Sequence, residues 1–249
     1  MRGLATGLGD VSRGLAVLRA HPALWKWVIA PAVVTLVLLA GAAFGVLHLI
    51  DPVIGWASAH LPGWLASVAS KLLTVLVVIA LVTAALFAFT SVAGVIAGPF
   101  LERLSEHVEA ALTGLPPAAF SLREFVHGAA LSVVHSARRL AAALVGLALV
   151  LGLGLVPVIG TLAALVVGAW FAATAASYDC YDAVFGRRMM AYRDKLAYLA
   201  RHRGRTLGLG LAVAGMLIVP GLNLIALGLG AAGATVAAHA IARGAGLRT

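Results

Sequence analysis

The 249 residues are 62% hydrophobic and 11% charged, with a mean hydropathy of +1.05, which leaves too few ionisable groups to cover a water-soluble surface. A formal charge of +9 would suit a nucleic-acid-binding domain, but the Lys and Arg residues flank apolar runs, so they read as membrane topology and nucleic acid is not an expected partner. The single cysteine, Cys180, excludes an intramolecular disulfide framework and a Cys-based zinc site.

The chain opens with Leu4, Leu8, Val11, Leu15 and Leu18 at helical spacing and with Arg2, Asp10, Ser12, Arg13 and Arg19 elsewhere on the wheel. That pattern predicts an in-plane interfacial helix, its leucine stripe in the acyl boundary and its arginines at anionic headgroups, with membrane lipid as partner. His21-Pro22 breaks it, and Trp25 and Trp27 suit the interface. Five charges before residue 28 and a long apolar run after them argue for a retained first span rather than a cleaved signal. From Val28 to Ile50 there is no charge; such a helix rises about 34 Å, enough for a hydrocarbon core of about 30 Å. Asp51-Pro52, Pro62-Gly63, Trp56 and Trp64 predict a turn-rich connection, and the uncharged run from Leu72 to Gly98 predicts a second crossing.

After Gly98-Pro99 a helix places Leu101, Leu104, Val108 and Leu112 on one side and Glu102, Glu106 and Glu109 on another, until Gly114 and Pro116-Pro117 stop it. Ser121 and Glu124 have capping-box spacing and start a helix that runs through Arg138-Arg139 into the third apolar region. The third and fourth regions, Leu140 to Ser177 and Thr206 to Ala242, are each interrupted midway, at Pro157 and Pro220. The interruptions are alike in sequence, which predicts a repeated helical hairpin with arms of roughly 15 to 19 residues, at the border between crossing the bilayer and stopping inside it. The link between them carries Arg187, Arg188, Arg193, Lys195, Arg201, Arg203 and Arg205. The positive-inside rule assigns it, with both termini, to the cytoplasm.

Few residues carry chemistry. At Pro220-Gly221-Leu222-Asn223 a broken helix leaves backbone N–H groups to be satisfied, either by a tight turn capped by Asn223 or by an anion at the positive helix end. Asp179 and Asp182 are candidates for proton coupling, or for an ion pair with Arg187 and Arg188. The scattered histidines offer no metal site, and no nucleophile, phosphate loop or dinucleotide motif stands in the chain, so neither a metal, a cofactor nor catalytic residues are expected. Gly41 and Gly45, and Gly152, Gly154, Gly208, Gly210, Gly228 and Gly230, predict close helix packing within or between subunits.

The order of features resembles the CysZ-type sulfate permease family, which shares a domain with the etoposide-induced membrane proteins. The resemblance rests on Pro22 to Pro31 before the first span, Gly98-Pro99-Phe100-Leu101 with the acidic helix to Gly114, and Val156 to Gly160. It continues through Tyr178 to Asp182, Val219 to Leu224 and Gly233-Ala234-Thr235. It implies two long transmembrane helices, two hairpins that enter the membrane only partly, homo-oligomers, and uptake of sulfate or a similar oxyanion. The family's anion site, a Gly-Leu-Asn turn with a basic pair ahead of the first span, falls here on Gly221, Leu222 and Asn223, and on Trp25 and Lys26, so one cation stands where two are usual.

The expectation is an all-α integral membrane protein of one multi-pass domain, residues 1–249, with two long transmembrane helices, two Pro-broken hairpins and interfacial amphipathic helices. It would lie in the cell inner membrane as an oxyanion permease or channel, not an enzyme. The competing expectation is a non-transporting scaffold whose hairpins wedge one leaflet and whose basic link recruits lipid or a partner.

Overall fold

A computed structural model describes residues 2–59, 75, 78, 98–117, 144–154, 159–188 and 190–246. Every element among them is helical: α1 (Arg2–Ala20), a 3-10 turn (Pro22–Leu24), α2 (Trp25–Ala59), α3 (residues 98–113), α4 (Leu144–Gly154), α5 (Ile159–Gly186), α6 (Tyr192–Arg201), α7 (Arg203–Ile218) and α8 (Asn223–Gly244). Among the described residues three helices are long and apolar enough to cross a membrane: Pro22–Leu49, Ile159–Gly186 and Asn223–Gly244. Most of the expected second crossing, the Ser121 capping box, Arg138-Arg139, Trp64 and the interruption at Pro157 lie outside the described residues.

The chain divides into two compact units, Pro31–Ile96 and the remainder. In the first, α2 continues through Asp51-Pro52 to Ala59, so the expected turn at Pro52 does not form. Proline costs a helix one backbone bond, and in a membrane helix that loss does not require the helix to end. Gly41 and Gly45 meet no described atom within 4 Å, and neither do Gly152 and Gly154 of α4. The packing expected of these four is absent among the described residues.

The second unit is built around α8, whose Gly228 to Ala234 stretch is buried throughout. A helix with small residues on several faces lets neighbours approach from several sides. One core cluster joins Cys180, Tyr181 and Val184 of α5 to Leu209 and Val213 of α7 and Ala234 of α8. A second joins Leu18 of α1, Leu24, Val28 of α2, Leu104 and Val108 of α3, and Leu229 of α8. Between α3 and α8, Thr235 donates to the Ala231 carbonyl at 2.8 Å and lies 2.9 Å from Ser105 Oγ, which donates to it in turn. The stop to α3 is as expected: Gly114 has φ +75° and its N–H bonds the Ala110 carbonyl at 2.8 Å, a left-handed helix end that glycine adopts without cost.

The first helix departs from its expectation. Its buried residues are Gly7, Asp10, Gly14 and Leu18, while Leu4 and Leu8 are exposed. The leucine stripe as a whole does not select the packed face. Glycine does, because Gly7 and Gly14 bring the α1 backbone against Arg205, Leu209 and Gly233 of α7 and α8.

Candidate functional site

Helices α7 and α8 pack side by side and are joined by Val219 to Leu222. Val219 is extended, and Gly221 takes φ +83°, a left-handed conformation that a side chain would strain. Leu222 is the N-cap of α8, without a side-chain cap bond, and Asn223 is the first helical residue. The turn capped by Asn223 is therefore not what forms, since Asn223 stands one residue past the N-cap position from which a side chain accepts from the first free N–H groups. The Asn223 N–H donates to the Val219 carbonyl at 3.1 Å, and the Ile225 N–H to Leu222 at 3.2 Å. Among the described residues the N–H groups of Gly221, Leu222 and Leu224 have no backbone carbonyl partner. They form a cluster of donors at the positive end of α8.

The surroundings are apolar and exposed: Leu217, Val219, Leu222 and Leu224 are exposed, and Ile218 is 82% exposed. Lys26 is placed differently. Its neighbours Leu24 and Val28 are buried, with Val28 against Gly228. Lys26 itself is exposed, its ammonium 5.3 Å from the Trp27 ring centre, a cation over an aromatic face. Gly228 is five positions beyond Asn223 along α8, so the contact made by Val28 lies about 7.5 Å of helix rise below the turn. Gly221, Leu222 and Asn223 are thus assembled in one turn, and Lys26 touches none of them among the described contacts.

The opposite end of this unit carries charge chemistry that the sequence only outlined. Asp182 pairs with Lys195 at 2.6 Å, the lysine side chain almost fully buried in α6. Arg187 and Arg188 both pair with Glu109 of α3, Arg188 at 2.9 Å. The ion pair expected between Asp182 and these arginines is replaced by these two, because α3 brings its own acids to the end of α5. Arg103 and Glu106 pair at 2.8 Å along α3. The Glu102 carboxyl lies where a side chain at Gly186 would stand. Burial, and then Asp182, push it up to about 7, against Lys195, Arg187 and Arg103.

A carboxyl held above its unfolded value of 4.5 binds its proton more tightly in the folded protein. Its contribution to stability is complete below about pH 4.5 and is lost as pH rises through about 7. We expect Glu102→Gln to remove a fall on the order of 2 kcal/mol across that window. Thermal unfolding in detergent at about pH 5 and about pH 8 checks this: the wild type should lose stability relative to the variant.

Residues 10–227 match the family model described as sulfate transporter CysZ/etoposide-induced protein 2.4. A protein of Pseudomonas syringae pv. tomato named sulfate transporter CysZ is 30% identical over 235 residues, covering 93% of this chain and 90% of its own. A protein of the same name from Pseudomonas fluorescens is 30% identical over 222 residues, 86% of each chain. Another, from Pectobacterium atrosepticum, is 27% identical over 214 residues, 86% of this chain and 78% of its own.

Proposed function

Because the chain belongs to the sulfate transporter CysZ/etoposide-induced protein 2.4 family, we propose that it carries a small tetrahedral oxyanion, sulfate first, across the cell inner membrane as a permease or channel. The observation that carries this reading is the α7–α8 turn, where backbone donors without carbonyl partners stand exposed at a helix N-terminus. Such a turn receives an oxyanion through N–H groups and the helix dipole. Gly221 and Leu222 supply backbone donors, Asn223 its side-chain amide since its N–H is used within the turn, and Lys26 the positive charge. Lysine acts there as a point charge, without the bidentate fork of an arginine.

The membrane arrangement in this reading is two crossings and two re-entrant hairpins, with both termini cytoplasmic and subunits assembled as a homo-oligomer. At 16 residues α7 rises about 24 Å, short of the hydrocarbon core. The exposed Ile218, Val219, Leu222 and Leu224 at the turn suit lipid better than water.

Labelled-sulfate uptake into proteoliposomes tests the proposal. Wild-type vesicles should accumulate sulfate well above empty ones, and Lys26→Ala and Asn223→Ala should each slow the initial rate about ten-fold, the loss of one charge-assisted contact. Uptake no faster than in empty vesicles would sink it. Salt-dependent binding to anionic liposomes without uptake would favour the scaffold reading, for which Arg193, Arg201 and Arg203 at the exposed surface of the link supply the charge.

A further inference from the structure

The basic link between α5 and α7 folds so that part of its charge gathers at one corner. Helix α6 turns Lys195, Tyr198 and Leu199 inward, while Leu196, Ala200 and Arg201 are exposed on its outer side. At the start of α7, Gly204 packs against α1, where a Cβ on it would stand 3.7 Å from the Gly3 Cα. The residues before these two glycines are Arg203 and Arg2, both exposed. Arg2 of α1, Arg201 of α6 and Arg203 of α7 therefore share this corner.

None of the three has an ion-pair partner among the described residues. The neighbouring acids are engaged elsewhere, Asp10 by Arg205 and Arg13 and Asp182 by Lys195. Asp194 stands about 10 Å of helix rise before Arg201. Burial, and then the charges of Arg201 and Arg205, hold the His202 imidazole below its ordinary value, as expected where positive charge is in excess. The same end presents apolar surface. Leu4 and Leu8 of α1, beside Gly208 of α7, are 39% and 44% exposed, and Leu196 is 43% exposed. A soluble anion would pair with the arginines and leave these leucines in water, whereas an amphiphile with an anionic head satisfies both.

We propose that this corner, Arg201 and Arg203 with Arg2 and the adjoining leucines, is a seat for anionic phospholipid of the leaflet on the basic side. The headgroup phosphate lies among the guanidinium groups, whose forked donors suit its oxygens. The acyl chains lie along Leu4 and Leu8. Lipid held in this way ties α1 and the α6–α7 corner to the membrane surface. The seat does not depend on the transport reading, because a permease and a scaffold would both use it.

The test is native mass spectrometry of the full chain, purified in detergent and titrated with phosphatidylglycerol or phosphatidylcholine of the same acyl chains. The wild type should bind phosphatidylglycerol at least about twenty-fold more tightly, and Arg201→Gln with Arg203→Gln should lose most of that preference, about five-fold for each charge. The matched control is Arg19→Gln with Arg243→Gln, which removes two other exposed arginines that have no ion-pair partner among the described residues. It should change the preference less than about two-fold, since screening confines the effect to nearby charges. Leu4→Ser with Leu8→Ser should weaken the binding of both lipids. Equal losses in the two arginine variants would reduce the effect to net charge and overturn the proposal, as would a wild type that does not distinguish the lipids. Displacement of phosphatidylglycerol by inorganic phosphate at equal concentration also overturns it, and assigns the arginines to a soluble oxyanion. Each of these outcomes leaves the transport reading untouched, because Lys26 and the Gly221 turn are unaltered in every variant.

Discussion

Asp10→Ala is expected to destabilise the detergent-solubilised protein by about 3 kcal/mol. Asp10 is fully buried, and it accepts from Arg205 Nε at 2.5 Å, Arg205 Nη2 at 2.8 Å and Arg13 Nη1 at 2.8 Å. The fork from Arg205 ties the first turn of α7 to the middle of α1. Removing the carboxylate leaves a largely buried guanidinium without its counter-charge, which costs more than the pair itself is worth. Arg13, half exposed, rehydrates and adds little. If the lost pairing is the cause, Asp10→Ala combined with Arg205→Met should recover most of the stability, since an apolar replacement of both partners is often near neutral. A thermal-unfolding cycle over the four proteins measures the coupling, and no recovery in the double variant would point to packing around Asp10 instead.

Gly14→Ala should be at least as damaging, a loss of about 3 kcal/mol or failure to assemble the second unit. A Cβ at Gly14 would stand 2.5 Å from the Gly233 nitrogen and 2.9 Å from the Ala232 carbonyl carbon. Both are backbone atoms of α8, so no side chain can rotate away and the helices must separate. Within α1 there is a matched control. Gly9 meets nothing within 4 Å, and Gly9→Ala should be neutral or gain about 0.5 kcal/mol from helix propensity. Yield and thermal stability of the two variants in detergent check the contrast. Equal behaviour would mean that α1 does not sit on α8 as described.

The difference between Gly9 and Gly14 also marks where the sequence stopped being readable. Charge-free runs identify candidate membrane helices because lipid penalises charge, and the long apolar helix after Pro22 and the α8 helix follow from that alone. Hydropathy assigns glycine almost no direction, so α1 was read by its leucines when its packing follows Gly7, Asp10 and Gly14. The helical wheel places Asp10 only off the leucine stripe, because its partner Arg205 is 195 positions away and no periodicity links them. The sequence placed Glu102, Glu106 and Glu109 on one side of a helix and the arginine-rich link on the same membrane side, which is the outline of the Glu109 cluster. Which acid takes which base depends on how α3 meets the end of α5. At the turn, Pro220 and Gly221 were enough to predict a break, while the cap depends on a one-residue register, and Leu222 takes the position expected for Asn223.

Whether the α7–α8 turn receives the oxyanion is tested most directly by chemistry at the turn itself. Cys180 is buried, and with it replaced by Ser, Leu222→Cys puts one thiol at the exposed turn. The rate at which an anionic, membrane-impermeant methanethiosulfonate modifies it in proteoliposomes would be measured with sulfate and with chloride at matched ionic strength. Sulfate bound at the Gly221, Leu222 and Asn223 donors should slow modification several-fold where chloride does not. Equal rates in the two salts would contradict an oxyanion site at this turn.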